Sequence, residues 1–144
     1  MRRAGRSIGT MVAALACAGC LTHGPDSLRD TPFDIPQLVE ALRQTGTMVN
    51  SGDEIEQPFF TVRGRMVSVA GEDVQVYQYP DEDAARRVAA TISPDGGTIG
   101  TSSPFWAASP HFYRRGLLVV LYVGDSASVM RPLERVLGTQ FAGR

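Results

Sequence analysis

The sequence predicts an α+β domain of two layers, with a mainly antiparallel sheet of four to five strands and about three helices. Two observations lead to this prediction. Short apolar segments with period-two spacing occur in pairs joined by glycine-containing turns, which is the pattern of β-hairpins. Segments with apolar residues at helical spacing stand before, between and after these pairs. Because hairpins make antiparallel neighbours, we expect the helices to pack on one face. A ferredoxin-like βαββαβ order is the alternative, although the sequence lacks its opening strand.

The first helix is predicted to begin after Asp34, which can cap it, with Gln37 three residues further on. Pro36 is acceptable in a first turn because the amides there have no helical partner, and Gly46 is well placed to end the helix. The next elements are a short strand over 47–50, an acidic loop over 51–57, a strand over 59–70 that bends near Gly64, a turn over 71–73 and a returning strand over 74–79.

In the second half of the domain a helix is again followed by a hairpin, without any repeat of the sequence. A helix is predicted from Asp81 to Pro94, then a glycine-rich loop, then a hairpin whose tip is Arg114-Arg115-Gly116. Residues 117–121 form an unbroken apolar run, which predicts a central strand covered on both faces. The last helix is predicted to be capped by Asp125 or Ser126, to start nearer Ser128 because of Pro132, and to end at Gly138.

The amino end has the pattern of a bacterial export signal. Arg2, Arg3 and Arg6 precede an uncharged and mostly apolar or small run over 8–18. That run is too short for a permanent transmembrane helix, which needs about 20 residues. We therefore expect residues 1–19 to be a signal peptide and the remainder to be exported.

Both cysteines of the chain, Cys17 and Cys20, lie in the stretch "ALACAGCL". Ala18-Gly19-Cys20 resembles the end of a bacterial lipobox, which implies acylation of Cys20 with fatty chains such as palmitate, followed by cleavage before it. Cys17 stands where the lipobox pattern prefers leucine, and Cys17 itself is the alternative anchor. Plain secretion after an Ala-x-Ala site and a redox or metal role of the CxxC spacing are further alternatives. Leu21, rather than Asp, follows the proposed anchor, which resembles an outer-membrane address.

Cleavage before Cys20 leaves 11 arginines and 15 acidic residues, a net charge of −4. A mildly acidic domain lacks the excess of positive charge with which proteins bind the phosphates of nucleic acid, so we expect no nucleic-acid partner. Residues 20–32, rich in Gly, Pro, Asp, Ser and Thr, are predicted to be the lipidated cysteine and a flexible tether. The single folded domain is then 33–144. Its predicted partner is the membrane, to which the lipid on Cys20 would anchor it.

The second hairpin carries the candidate ligand surface. Its aromatic and cationic side chains suit an envelope protein or a small-molecule ligand, and Trp106 is expected to be the most exposed aromatic residue. The proposed surface consists of Trp106, His111, Tyr113, Arg114 and Arg115. We predict no metal, no cofactor and no catalytic set, because the histidines are far apart in the chain and no Gly-x-Ser-x-Gly or Walker motif is present.

A small secreted hydrolase with His111 as general base is the alternative function, since histidine titrates near neutral pH. Ser109 and an acid such as Asp95 or Asp125 would complete its triad. The interpretation without a catalytic role is a half-buried histidine that forms hydrogen bonds with its neighbours.

The domain also resembles a group of small bacterial exported proteins and lipoproteins without assigned activity. The segments that carry this resemblance are "EQPFFTVRGR", "VQVYQYPDEDAA", "ISPDGGTIGT", "PHFYRRGLLVVLYVGD" and "LGTQFAG", which cover most of 57–143. The resemblance implies no catalytic residues. The sequence therefore predicts a lipid-anchored, extracytoplasmic envelope protein of the bacterial cell or outer membrane, with a non-enzymatic binding or structural domain.

Overall fold

The computed structural model describes residues 32–143, so the predicted signal peptide, Cys20 and nearly all of the predicted tether lie outside the described residues. The described helices are α1 (Ile35–Gln44), α2 (Glu82–Ala89) and α3 (Ala127–Leu137). The described strands are β1 (Val49–Ile55), β2 (Gly64–Val69), β3 (Glu72–Gln78), β4 (Pro110–Arg115), β5 (Leu118–Val123) and β6 (Ala142–Gly143).

The strands form one sheet in the order β1-β2-β3-β5-β4-β6, and every neighbouring pair is antiparallel. The α+β class is therefore confirmed, with six strands rather than four or five. β5 lies between β3 and β4, and its residues 118–122 are all buried. The unbroken apolar run thus forms a strand that is covered on both faces, as predicted.

The helices do not share one face of the sheet. Leu118 and Val120 of β5 pack in one core cluster with Leu42 of α1 and Leu133 of α3. The residues that alternate with them, such as Leu121, pack in a second cluster with residues of α2. Because successive side chains of a strand point to opposite faces, α2 covers the face opposite to α1 and α3. The expectation of one helical face is therefore wrong for α2.

The connections between strands explain this arrangement. β3 and β4 are parallel to each other, since both pair antiparallel with β5, and α2 connects them. β5 and β6 are parallel for the same reason, and α3 connects them. Both connections move two strand positions in the same direction across the sheet. The two strands joined by α2, however, run antiparallel to the two strands joined by α3. The preference for right-handed crossovers then places the two helices on opposite faces.

The ferredoxin-like alternative is only partly matched. The segment from β3 to β6 has the βαββαβ order, but its last strand lies at the β4 edge rather than beside β3. The place beside β3 is taken by β2, which follows from the tight hairpin that joins them. Because β2 occupies the position beside β3, the last strand, β6, pairs with β4 at the other edge of the sheet.

Several local predictions are confirmed and others are corrected. Asp34 and Gln37 form the predicted capping box of α1. The acidic segment after Asn50 is not a loop but the greater part of edge strand β1, with a register shift between Ser51 and Glu54. β2 begins only at Gly64, so the change of phase there marks the end of a loop. Charged side chains on an exposed edge strand discourage pairing with other chains, which explains the acidic composition.

The last helix starts at Ala127, close to the predicted residue 128, and contains Pro132 in its interior. Ser126 is its N-cap residue but makes no capping bond with its side chain. Its backbone N–H instead donates to the hydroxyl of Tyr122, 3.1 Å away. A tyrosine of the central strand therefore takes the role that a capping side chain has elsewhere.

Candidate functional site

The five residues of the predicted ligand surface do not form one surface. His111, Tyr113 and Arg115 alternate along β4 on the face that α3 covers. Arg114 points to the opposite face, and Trp106 packs against the cluster on that face. The correction follows from strand geometry: neighbouring residues in β4 cannot present their side chains on the same side.

Tyr113 belongs to the core. Its side chain is 0% exposed, and its hydroxyl has no hydrogen-bond partner among the described residues. Burial raises the pKa of Tyr113 to about 12, and the negative charge of Glu134 adds to this effect. Tyr113 therefore cannot contribute to a ligand surface in this fold.

Arg115 joins three parts of the fold. Its guanidinium lies over the ring of Phe33, 4.1 Å from the ring centroid. It also donates to the main-chain carbonyl of Val136 in the last turn of α3. Arg115 thus ties the segment before α1 to α3. Arg114 is half-buried, and its side chain makes no hydrogen bond or ion pair within the described range.

His111 is buried in a polar cluster at the amino end of α3. Only 2% of its surface is exposed, and its ring stacks on Tyr122 with the centroids 6.0 Å apart. Nδ1 lies 2.6 Å from Oε1 of Gln140, and because a carbonyl oxygen accepts, Nδ1–H is the donor. Nε2 has no hydrogen bond and lies 3.9 Å from the carboxylate of Asp125.

This cluster lacks the parts of a hydrolytic site. Among residues 32–143, Gln140 is the only hydrogen-bond partner of the His111 side chain, so no serine hydroxyl is held for proton transfer. The ring is also almost completely buried, so a substrate would have to displace its neighbours to reach it. No three His, Cys, Asp or Glu side chains in the described part of the chain are grouped so that they could hold a metal ion. The hydrolase alternative stays a prediction that this geometry does not favour.

The most exposed aromatic residue is Phe105, not Trp106. Phe105 is 96% exposed, whereas Trp106 is half-buried. The indole N–H of Trp106 donates to the carbonyl of Gly96, 2.8 Å away, and its ring meets Phe59 and Phe112 edge-on at 5.9 and 6.1 Å. Adjacent residues in an extended segment point in opposite directions, so the packing of Trp106 inward turns Phe105 outward.

We call residues 104–109 the Phe105 loop. Gly96, whose carbonyl holds Trp106 of the loop, packs closely on β4: a Cβ at Gly96 would lie 2.9 Å from the ring of Phe112 and 3.0 Å from Pro110. Gly96 also has a φ of +69°, which favours glycine. A concavity of about 490 Å³ lies beside the loop, and its lining residues are Asp95, Gly97, Pro104, Phe105, Trp106, Ala108, Ser109 and Pro110.

We compared the chain with profiles of known protein families, with curated proteins and with solved structures, and none of the three comparisons finds a match. The site is therefore interpreted from its own geometry. Within residues 32–143, no helix has the length and apolar character needed to cross a bilayer.

Proposed function

We propose that the chain is a bacterial envelope lipoprotein, acylated at Cys20, whose domain binds another envelope protein and is not an enzyme. The observation that carries the binding proposal is the side chain of Phe105, which is 96% exposed on a loop that Trp106 holds in place. An apolar side chain in that state costs free energy in water, and a partner that covers it recovers that free energy. The export signal and the lipobox-like end support the location.

The position of the Phe105 loop favours a protein partner over the membrane. The chain enters the domain at the tip of the β4–β5 hairpin, where the Phe33 carbonyl accepts from Leu117 N–H at 3.0 Å. The Phe105 loop leads into Pro110, at the other end of six-residue β4, about 17 Å away. In a domain anchored through residues before Phe33, the Phe105 loop is therefore about one strand length farther from the tether than the tip of the β4–β5 hairpin is.

The chemistry of the loop favours an apolar protein segment over a glycan. A glycan platform needs a free aromatic face and hydrogen-bonding groups around it. The indole N–H of Trp106 is already bonded to Gly96, and the carboxylate of Asp95 accepts from Ser93 Oγ at 2.7 Å and Gly97 N–H at 3.0 Å. Phe105 itself has no polar group, so an apolar side chain of a protein fits it best.

The anchor is tested by mass spectrometry of the mature protein extracted from membranes. We expect a chain that begins at Cys20 and carries fatty acyl groups. Cys20→Ser should abolish both the cleavage and the acylation, and Cys17→Ser is the matched control that should leave both intact. An unmodified thiol at Cys20, or loss of acylation in the Cys17 variant instead, would refute the assignment.

The binding surface is tested by a photo-crosslinking phenylalanine analogue placed at position 105 in living cells. Met48, 74% exposed, is the matched control position. We expect a discrete protein adduct from position 105 that is absent from position 48, and Phe105→Ser should weaken binding of the identified partner without changing stability. Crosslinks to lipid alone, equal adducts from both positions, or full binding by Phe105→Ser would contradict the proposal.

A further inference from the structure

A second concavity, of about 560 Å³, lies between α1 and the sheet, and the described residues that line it include two arginines but no carboxylate. We call it the arginine groove. Its lining residues are Ile35, Pro36, Val39 and Arg43 of α1 and Ser51, Arg65 and Gln78 of the strands. Arg43 and Arg65 are far apart in the sequence, and the packing of α1 on the sheet brings them to one groove.

Main-chain carbonyl groups hold both guanidinium groups in place. Arg43 donates to the carbonyl of Val49 from Nε at 3.4 Å and from Nη2 at 3.1 Å. Arg65 donates from Nη1 to the carbonyl of Gly52 at 3.4 Å. A carbonyl orients a guanidinium but does not neutralise its charge, so each arginine keeps its charge and has further N–H donors.

The acidic residue nearest in the sheet register does not neutralise the groove. Glu54 lies opposite Arg65 in the β1–β2 pairing, but its carboxylate is paired with Arg63 at 3.6 Å. Arg63 also pairs with Glu56 at 3.2 Å. Within residues 32–143, neither Arg43 nor Arg65 has a carboxylate partner. Arg63 is therefore neutralised by Glu54 and Glu56, whereas the two groove arginines have no carboxylate partner in the described part of the chain and can pair with a bound anion.

The apolar residues that line the groove indicate what kind of anion it binds. Ile35, Pro36 and Val39 give the groove an apolar side along the first half of α1, whereas Arg43 lies in the last turn of the helix. We propose that the arginine groove binds an amphipathic oxyanion, a phosphate or carboxylate joined to a short apolar chain. The charged group pairs with Arg43 and Arg65, and the apolar chain lies on Ile35 and Val39.

Two sources share this chemistry: an anionic membrane lipid and a soluble alkyl phosphate or carboxylate. The apolar end of the groove lies beside Ile35, close to Phe33, where the chain enters the domain. This end of the groove is therefore near the point at which a lipid-anchored segment would join the domain. The site itself needs neither the anchor nor the Phe105 loop.

The test uses the mature protein in nanodiscs of zwitterionic lipid, with the Nε–H signals of its arginines followed by NMR. Octyl phosphate should shift the signals of Arg43 and Arg65 saturably, whereas neutral octyl glucoside should not. Arg43→Gln and Arg65→Gln should each weaken binding by roughly tenfold or more, since a charge-assisted hydrogen bond is lost. Arg87→Gln, an exposed arginine of α2 on the other face, is the matched control and should bind as the parent does.

Nanodiscs that contain an anionic phospholipid distinguish the sources. Shifts of Arg43 and Arg65 in these discs without added octyl phosphate identify a lipid headgroup, and shifts only after its addition identify a soluble ligand. Equal binding of octyl glucoside, unchanged affinity in both glutamine variants, or no binding of octyl phosphate at millimolar concentration would overturn the proposal. Thermal melting of each variant confirms folding, and Phe105→Ser should retain groove binding.

Discussion

Replacement of Tyr113 by phenylalanine should stabilise the domain, because it removes a buried hydroxyl group that has no hydrogen-bond partner among residues 32–143. Tyr113 and Tyr77 are both 0% exposed, but only the Tyr77 hydroxyl has a partner, Oε1 of Gln75 at 2.6 Å. The two substitutions remove the same atom from two buried rings. They should therefore change the free energy of unfolding in opposite directions.

The magnitude follows from the hydrogen bonds. A buried polar group without a partner costs about 1–3 kcal/mol, so Tyr113→Phe should raise the free energy of unfolding by about 1 kcal/mol after partial relaxation. Tyr77→Phe loses one hydrogen bond of about 1 kcal/mol net and should lower it by that amount. In a domain of this size, 1 kcal/mol corresponds to roughly 4 °C in Tm.

Urea denaturation of the parent and both variants measures these differences. We expect the midpoint to rise for Tyr113→Phe and to fall for Tyr77→Phe, with the slope m unchanged in both, since neither changes the surface exposed on unfolding. A fall in the midpoint for Tyr113→Phe comparable to that of Tyr77→Phe would refute the reasoning. It would mean that the Tyr113 hydroxyl is hydrogen-bonded in solution.

Two further predictions concern alkaline pH and one turn. Burial raises the pKa of Tyr79 and Tyr113 to about 12, whereas tyrosine in the unfolded chain ionises near pH 10. As the pH rises, the unfolded state therefore loses these protons first, so the stabilising contribution of the two tyrosines should be fully present below about pH 10 and should be lost between about pH 10 and 12. The free energy of unfolding should fall less steeply with pH in Tyr113→Phe. Urea midpoints that stay constant across this pH range would contradict the prediction. Ala70 has a φ of +52° in the two-residue turn between β2 and β3, so Ala70→Asn should raise the free energy of unfolding by about 0.5–1 kcal/mol. Ala90→Asn, at a residue with a φ of −67°, is the control and should change little; equal effects in both would show that φ is not the cause.

Local sequence signals predicted the elements that local chemistry determines. The capping box of α1 is formed by residues three apart, and the apolar run of β5 needs no knowledge of its neighbours to indicate burial. The acidic segment of β1 was wrongly expected to be a loop because five exposed residues show no alternation. Beyond Val49 this edge strand has no buried face until Ile55, so period-two patterning does not mark it.

The residues of the candidate site show what a local sequence pattern does not predict. The hairpin residues from His111 to Arg115 are adjacent in the sequence, yet the pleat of β4 separates them between two faces and buries Tyr113 completely. Which of Phe105 and Trp106 is exposed depends on Gly96, which accepts the indole N–H across ten residues of chain. No pattern around Trp106 alone shows that contact.

The sequence by itself determined the α+β class, the caps of the first two helices and the central strand, because each depends on residues within a few positions of one another. Only the tertiary structure decided which face each helix covers, which aromatic side chain reaches solvent, and that Arg43 and Arg65 line one groove. Those properties depend on the direction of the crossovers and on contacts between distant segments. Packing around a shared sheet creates them, and no single segment contains that information.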